Sequence, residues 1–118
     1  MTLERGQIWS LAGNGRQHEK RAVLIVQAQA LLDAEHPTAL IVPLSANVVS
    51  DAAPLRVRIP AIGKLRLDTD AMIDQLRAID VRALGDAPLG KVPQPLLETI
   101  TTALRDVLDA ASSQPTRM

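Results

Sequence analysis

Ala22-Val23-Leu24-Ile25-Val26 is an unbroken apolar run that follows two cations, Lys20 and Arg21. It is too short for a typical helix and rich in β-branched side chains, which suit a pleated, packed surface. The run therefore predicts a buried strand entered from a charged loop. Thr38-Ala39-Leu40-Ile41-Val42-Pro43-Leu44 is a second such run, and its proline predicts an edge strand or a bulge. Elsewhere the period is two. Gln7-Ile8-Trp9-Ser10-Leu11 alternates as a strand with one buried face would. Leu55-Arg56-Val57-Arg58-Ile59 and Lys64-Leu65-Arg66-Leu67 alternate on either side of the turn-prone Pro60-Ala61-Ile62-Gly63. They predict a hairpin with Arg56, Arg58, Lys64 and Arg66 along one side, a basic stripe with no acid between Arg56 and Arg66 in sequence. The segment from Ala71 to Ile79 reads as a further strand, and Gly90-Lys91-Val92 as a last short one before Pro93.

From Pro95 the period changes. Leu96, Leu97, Ile100, Leu104, Val107 and Leu108 recur every three to four residues, which predicts one apolar stripe on a helix that fades near Ala110. Residues 28–37 have helical composition but run into Pro37, so a short helical turn is expected. Gly13-Asn14-Gly15-Arg16-Gln17-His18-Glu19-Lys20 reads as an exposed polar loop, and residues 111–118 as a flexible tail. Many short strands and one C-terminal helix imply a mainly β fold, a compact barrel or a strongly bent sheet.

Composition narrows the chemistry. With 118 residues the chain has room for one core, and residues 1–118 are expected to form a single domain. It has no cysteine and only His18 and His36, so a disulfide or a zinc site is not expected and the chemistry should need no metal or cofactor. No segment approaches the ~20 apolar residues of a membrane span, and a secretory h-region is lacking, which predicts a cytoplasmic protein. The charge is balanced overall but not along the chain. Up to Leu67 there are eight Lys or Arg and five Asp or Glu, a balance of +3; from Asp68 on there are five and eight, a balance of -3. A polyanion should meet the first half. Trp9 is the only aromatic residue, so recognition of nucleic acid by base-stacking platforms is disfavoured.

In order and spacing, several segments resemble the MazF/PemK family of type II toxin-antitoxin endoribonucleases. They are Arg5-Gly6-Gln7-Ile8-Trp9, Arg21-Ala22-Val23-Leu24-Ile25-Val26-Gln27, Thr38 to Asn47 with Val42-Pro43-Leu44-Ser45, Asp74-Gln75-Leu76-Arg77-Ala78-Ile79-Asp80, and Leu89-Gly90-Lys91-Val92. The resemblance implies an SH3-like barrel of the MazF/CcdB toxin type, normally a homodimer. It also implies metal-independent, sequence-specific cleavage of single-stranded RNA, often messenger RNA, and restraint by a MazE-like antitoxin whose acidic segment occupies the RNA groove. By the same resemblance, Arg21 and Ser45 act at the scissile phosphate. Arg16, His18, Glu19 and Lys20 in the loop would contact RNA, together with Arg56, Arg58, Asp74 and Gln75. The chain departs from the family pattern at Ala22, where proline is usual, at Ser45, where threonine is common, and at Met72, where the PemK branch carries a catalytic arginine. The alternative function on the same barrel is that of the CcdB toxins, which bind DNA gyrase without cutting anything.

Overall fold

A computed structural model of the chain describes residues 2–12 and 21–109. The loop from Gly13 to Lys20, with the candidate residues Arg16, His18, Glu19 and Lys20, and the tail at 111–118 lie outside the described residues. Seven strands and two helices are described: β1 (Gln7–Leu11), β2 (Arg21–Ile25), α1 (Gln29–Asp33), β3 (Thr38–Ser45), β4 (Arg56–Ile59), β5 (Thr69–Met72), β6 (Arg77–Asp80), β7 (Leu84–Lys91) and α2 (Gln94–Leu108). Short 3-10 turns occupy Ile73–Gln75 and Val81–Ala83. The strands form one antiparallel sheet in the order β4-β5-β3-β2-β1-β7, with β6 also paired to β3.

The unbroken apolar run of β2 is explained by burial on both faces. Leu24 and, on the neighbouring strand, Val42 belong to a core that α2 closes with Leu97, Ile100, Ala103 and Leu104. Val23, Ile25 and Ile41 point the other way, into a second cluster with Leu3, Trp9 and Leu84. A strand packed on both sides has no polar face to alternate with. The helical stripe buries Leu97, Ile100 and Leu104, but Val107 and Leu108 are exposed, because the last turn of α2 runs past the core it covers.

Pro43 is not on an edge strand: β3 is internal, with β2 on one side and β5 and β6 on the other. The Val26 N–H donates to Leu40 O, so the even-numbered residues of β3 face β2 and Pro43 faces the opposite side. There β6 pairs with Thr38 to Ile41 and β5 only with Leu44 and Ser45. The missing N–H of proline thus falls in the break between two partners, where no ladder bond is lost.

Three further expectations are corrected. The hairpin partner of β4 is β5, not the segment 64–67, which lies in the connecting loop with a single Ile62↔Leu65 bridge. The predicted strand from Ala71 to Ile79 is split by the 3-10 turn at Ile73–Gln75 into β5 and β6, which pair with different stretches of β3. The last strand starts at Leu84, earlier than Gly90, through a register with β1 that shifts twice.

The end strands β4 and β7 do not pair with each other among the described residues, but the loop after β4 bridges the gap. Lys64 N–H donates to Leu89 O at 2.7 Å. Gly63 has a φ of +58°, and a Cβ there would lie 2.5 Å from Leu89 O. Only glycine lets the backbones come this close. The result is a mainly β, barrel-type sheet with a C-terminal helix.

Candidate nucleic-acid interface

β2 and β3 run antiparallel with Ala22 opposite Leu44. One step further in the same register, Arg21 stands beside Ser45, the first residue of one strand next to the last residue of the other. Ser45 is the register partner of Asp70 on β5, and Asp70 is the register partner of Arg58 on β4. Residues opposed in this way project to the same face. Four neighbouring strands therefore carry Arg21, Ser45, Asp70 and Arg58 in one transverse row.

Exposure differs along the row. Arg21 is exposed and Ser45 half-buried, whereas the side chain of Asp70 is 1% exposed. A carboxylate buried to that degree needs partners for both oxygens. Arg58 Nε donates to Oδ1 at 2.7 Å, and the Val49 N–H donates to Oδ2 at 2.7 Å. Arg56 Nη1 stands 3.5 Å from Oδ2. Burial works against ionisation of Asp70, but the bond from Arg58, the Val49 amide, the charge of Arg58 and the bond from Arg56 together hold its carboxyl below the usual carboxylate range.

The same two guanidiniums also fasten the loop that follows Ser45. Arg56 Nη1 donates to Asn47 O at 3.1 Å, and Arg58 Nη2 reaches Val49 O at 3.4 Å. Ser45 Oγ accepts from the Asn47 N–H at 3.1 Å. Among the described residues its own hydrogen has only Asn47 O in reach, at 3.5 Å, a long bond that a better acceptor would displace. Two guanidiniums face one carboxylate, which leaves the cluster one positive charge (2 - 1) beside that hydroxyl. Such an arrangement can hold an anion: a hydroxyl donor and the exposed guanidinium of Arg21, flanked by the cationic pair Arg56 and Arg58.

Arg58 stands in the row and Arg56 beside it on the same strand, a basic pair, but Lys64 and Arg66 do not extend it, since they lie in the loop between β4 and β5. The acid missing from the predicted stripe comes from across the sheet, as Asp70. Met72 is the register partner of Arg56, whose Nη2 lies 3.8 Å from its Sδ, so a guanidinium from the next strand stands over this position. Asp74 and Gln75 are exposed on the 3-10 turn after β5. Sequence reasoning missed Asp70. Its signal was a carboxylate directly heading the apolar triplet Ala71-Met72-Ile73, a place where burial calls for a cation from another strand.

The family model described as the PemK-like, MazF-like toxin of type II toxin-antitoxin systems matches residues 4–108. A sequence comparison with curated proteins yields no match. Among solved structures, the chain is similar to the Mycobacterium tuberculosis toxin MazF-mt6, with a TM-score of 0.69 and 18% identity over 86% of this chain and 95% of that one. It is also similar to the MazE-MazF structure (Form-III) from Deinococcus radiodurans, with a TM-score of 0.73 and 18% identity over 92% of this chain and 97% of that one. A mycobacterial endoribonuclease in complex with its cognate antitoxin gives a TM-score of 0.68 and 23% identity over 91% and 93% of the two chains. The solved structures match the sheet and its helix, and the family model spans every described strand; the chain belongs to the PemK-like, MazF-like toxins of type II toxin-antitoxin systems.

Proposed function

We propose that this chain is a metal-independent endoribonuclease that cleaves single-stranded RNA, with Arg21 and Ser45 at the scissile phosphate. The observation that carries the reading is the register that sets Arg21 beside Ser45 at the ends of two paired strands. In the reaction, the ribose 2'-OH attacks the adjacent phosphorus and gives up its proton to solvent, while the bond to the 5'-oxygen breaks and that oxygen takes a proton from solvent, which yields a 2',3'-cyclic phosphate and a 5'-OH. Negative charge grows on the phosphoryl oxygens as the new bond forms. The Arg21 guanidinium and the Ser45 hydroxyl donate to those oxygens, and one well-placed donor of this kind is worth ~3–4 kcal/mol. Arginine stays charged at any working pH, so Arg21 stabilises the transition state electrostatically and carries no proton.

Arg56 and Arg58 hold a neighbouring backbone phosphate, with Asp74 and Gln75 further along the same strand of RNA. Arg16, His18, Glu19 and Lys20 contribute from the loop before β2. A MazE-like antitoxin is the expected partner; the solved complexes of similar toxins with MazE or a cognate antitoxin support this. The chain acts in the cytoplasm as a homodimer, which sedimentation at micromolar concentration checks. Incubation of the purified protein with a long RNA in EDTA, followed by mapping of the ends, tests the activity. Discrete cuts with 5'-OH ends are expected. Intact RNA together with gyrase inhibition would instead mean a CcdB-like toxin.

A further inference from the structure

We infer that Asp70 is a positioning residue for this site: its buried carboxylate fixes the Arg56 and Arg58 guanidiniums, and the loop bearing Asn47 and Val49, against Ser45. The inference rests on the ribonuclease reading above. Asp70 makes no bond to Ser45 Oγ, and its own two oxygens are taken up by Arg58 Nε, the Val49 N–H and Arg56 Nη1. Its effect runs through those groups. The side chain of Arg58 is 43% exposed and that of Arg56 26%, so both cations reach solvent while their orientation is set from below by a group that does not.

These contacts, with the backbone from Asn47 to Val49, close into a ring to which Ser45 is tied. From Ser45 Oγ the path runs to the Asn47 N–H, from Asn47 O to Arg56, from Arg56 to Asp70, and from Asp70 to the Val49 amide two residues past Asn47. Arg58 braces the same ring by bonding both Asp70 Oδ1 and Val49 O. Without the carboxylate, two like charges on β4 lose their common counter-ion, and the loop loses its only side-chain anchor at the Val49 amide among the described residues. The guanidiniums would then turn outward, each in its own way, and a phosphate would meet them in no fixed place.

This role has an unusual sign. Asp70→Asn raises the net charge of an RNA-binding surface by one, and on charge alone it should tighten RNA binding and lower KM. A positioning role predicts the reverse: KM for a short RNA rises roughly tenfold with kcat little changed, since the weakened hold is on a phosphate outside the reacting bond. A purely structural role predicts a third pattern, a lower apparent kcat from a smaller folded fraction at unchanged KM.

The experiment is steady-state cleavage of a short RNA in EDTA by wild type, Asp70→Asn and Arg58→Lys, with the folded fraction checked by thermal melting. Arg58→Lys keeps the charge but cannot bond Oδ1 and Val49 O as a planar fork, and its exposed position leaves folding intact should Asp70→Asn not fold. Both variants are expected to raise KM. Unchanged or lower KM in a folded Asp70→Asn or in Arg58→Lys, with an active wild type, overturns the inference alone. An inactive wild type overturns the ribonuclease reading, and the inference with it.

Discussion

Ser45 and Asp70 are partners in the β3–β5 ladder, and the pairing stands a half-exposed hydroxyl beside a sealed carboxylate without joining them. Asp70 spends its oxygens on Arg58, Arg56 and the Val49 amide, while Ser45 Oγ takes the Asn47 N–H. The two side chains thus brace the loop after β3 at two places and leave the hydroxyl hydrogen for another acceptor.

Replacing Arg21 should be the most damaging single change to cleavage. Arg21→Ala removes a donor that stabilises the transition state more than the ground state, and kcat should fall by about 10²–10³. Arg21 is exposed at the head of β2, so thermal stability should stay within about 0.5 kcal/mol of wild type. Arg21→Lys keeps the charge without the planar fork and should fall in between. Single-turnover cleavage checks the order, and an Arg21→Ala protein that cuts at the wild-type rate would remove Arg21 from the reaction.

Substitutions at Ser45 should separate its two bonds. Ser45→Ala loses both the donor to phosphate and the acceptor for the Asn47 N–H, so cleavage should drop by about 10²-fold and stability by about 1 kcal/mol. Ser45→Thr keeps the oxygen and restricts its rotamers, and should retain cleavage within a few-fold of wild type. If the threonine variant is as slow as the alanine variant, the hydroxyl is not what the site requires.

The strands were legible wherever burial alone shaped the pattern. β1 and β2 follow from alternation and from the unbroken run, and α2 from its change of period. Partner choice was not legible, because periodicity records which face is buried and not which strand lies alongside. The segment 64–67 alternates as cleanly as β4 does, yet β4 pairs with β5, whose Asp70 supplies a counter-ion that no leucine could. Pro43 misled for a similar reason: its place in an internal strand depends on a break between β5 and β6 that only long-range pairing creates. At the site, Arg21 and Ser45 were found by resemblance and their adjacency by register. Asp70 emerged only when the chain was folded.

Gly63 should tolerate no side chain. Gly63→Ala would place a Cβ 2.5 Å from Leu89 O in a backbone conformation with φ +58°, so the loop must retreat from β7 and give up the Lys64 N–H bond to Leu89 O. A cost of about 2–3 kcal/mol is expected from the strain and the broken bond together. Urea unfolding measures it, and a shift below about 0.5 kcal/mol would mean that the loop does not hold the two ends of the sheet together.

Stability in acid should depend on Asp70 in a defined window. Its folded pKa lies below the ordinary aspartate value of about 3.9, so near and below that pH the unfolded chain binds more protons than the native one. The stabilisation from its bonds is complete above about pH 5 and drains away as the pH falls through the lowered folded value. Asp70→Asn keeps one acceptor for Arg58 Nε but presents an N–H₂ or loses a bond at the Val49 amide. It should be about 1.5–3 kcal/mol less stable than wild type at neutral pH, a range reduced from that of a fully buried pair because Arg58 is 43% exposed. The difference should narrow steadily below about pH 4 as the wild-type carboxylate is neutralised and its ionic bonds weaken. Asp80, held down to about 2 by its hydrogen bond from Arg82, titrates in the same range, but it is present in both proteins and cancels in the comparison. Urea midpoints of the two proteins from neutral pH to about pH 2.5 measure the gap. A gap that stays constant into acid would show that the buried carboxylate contributes by shape and not by charge.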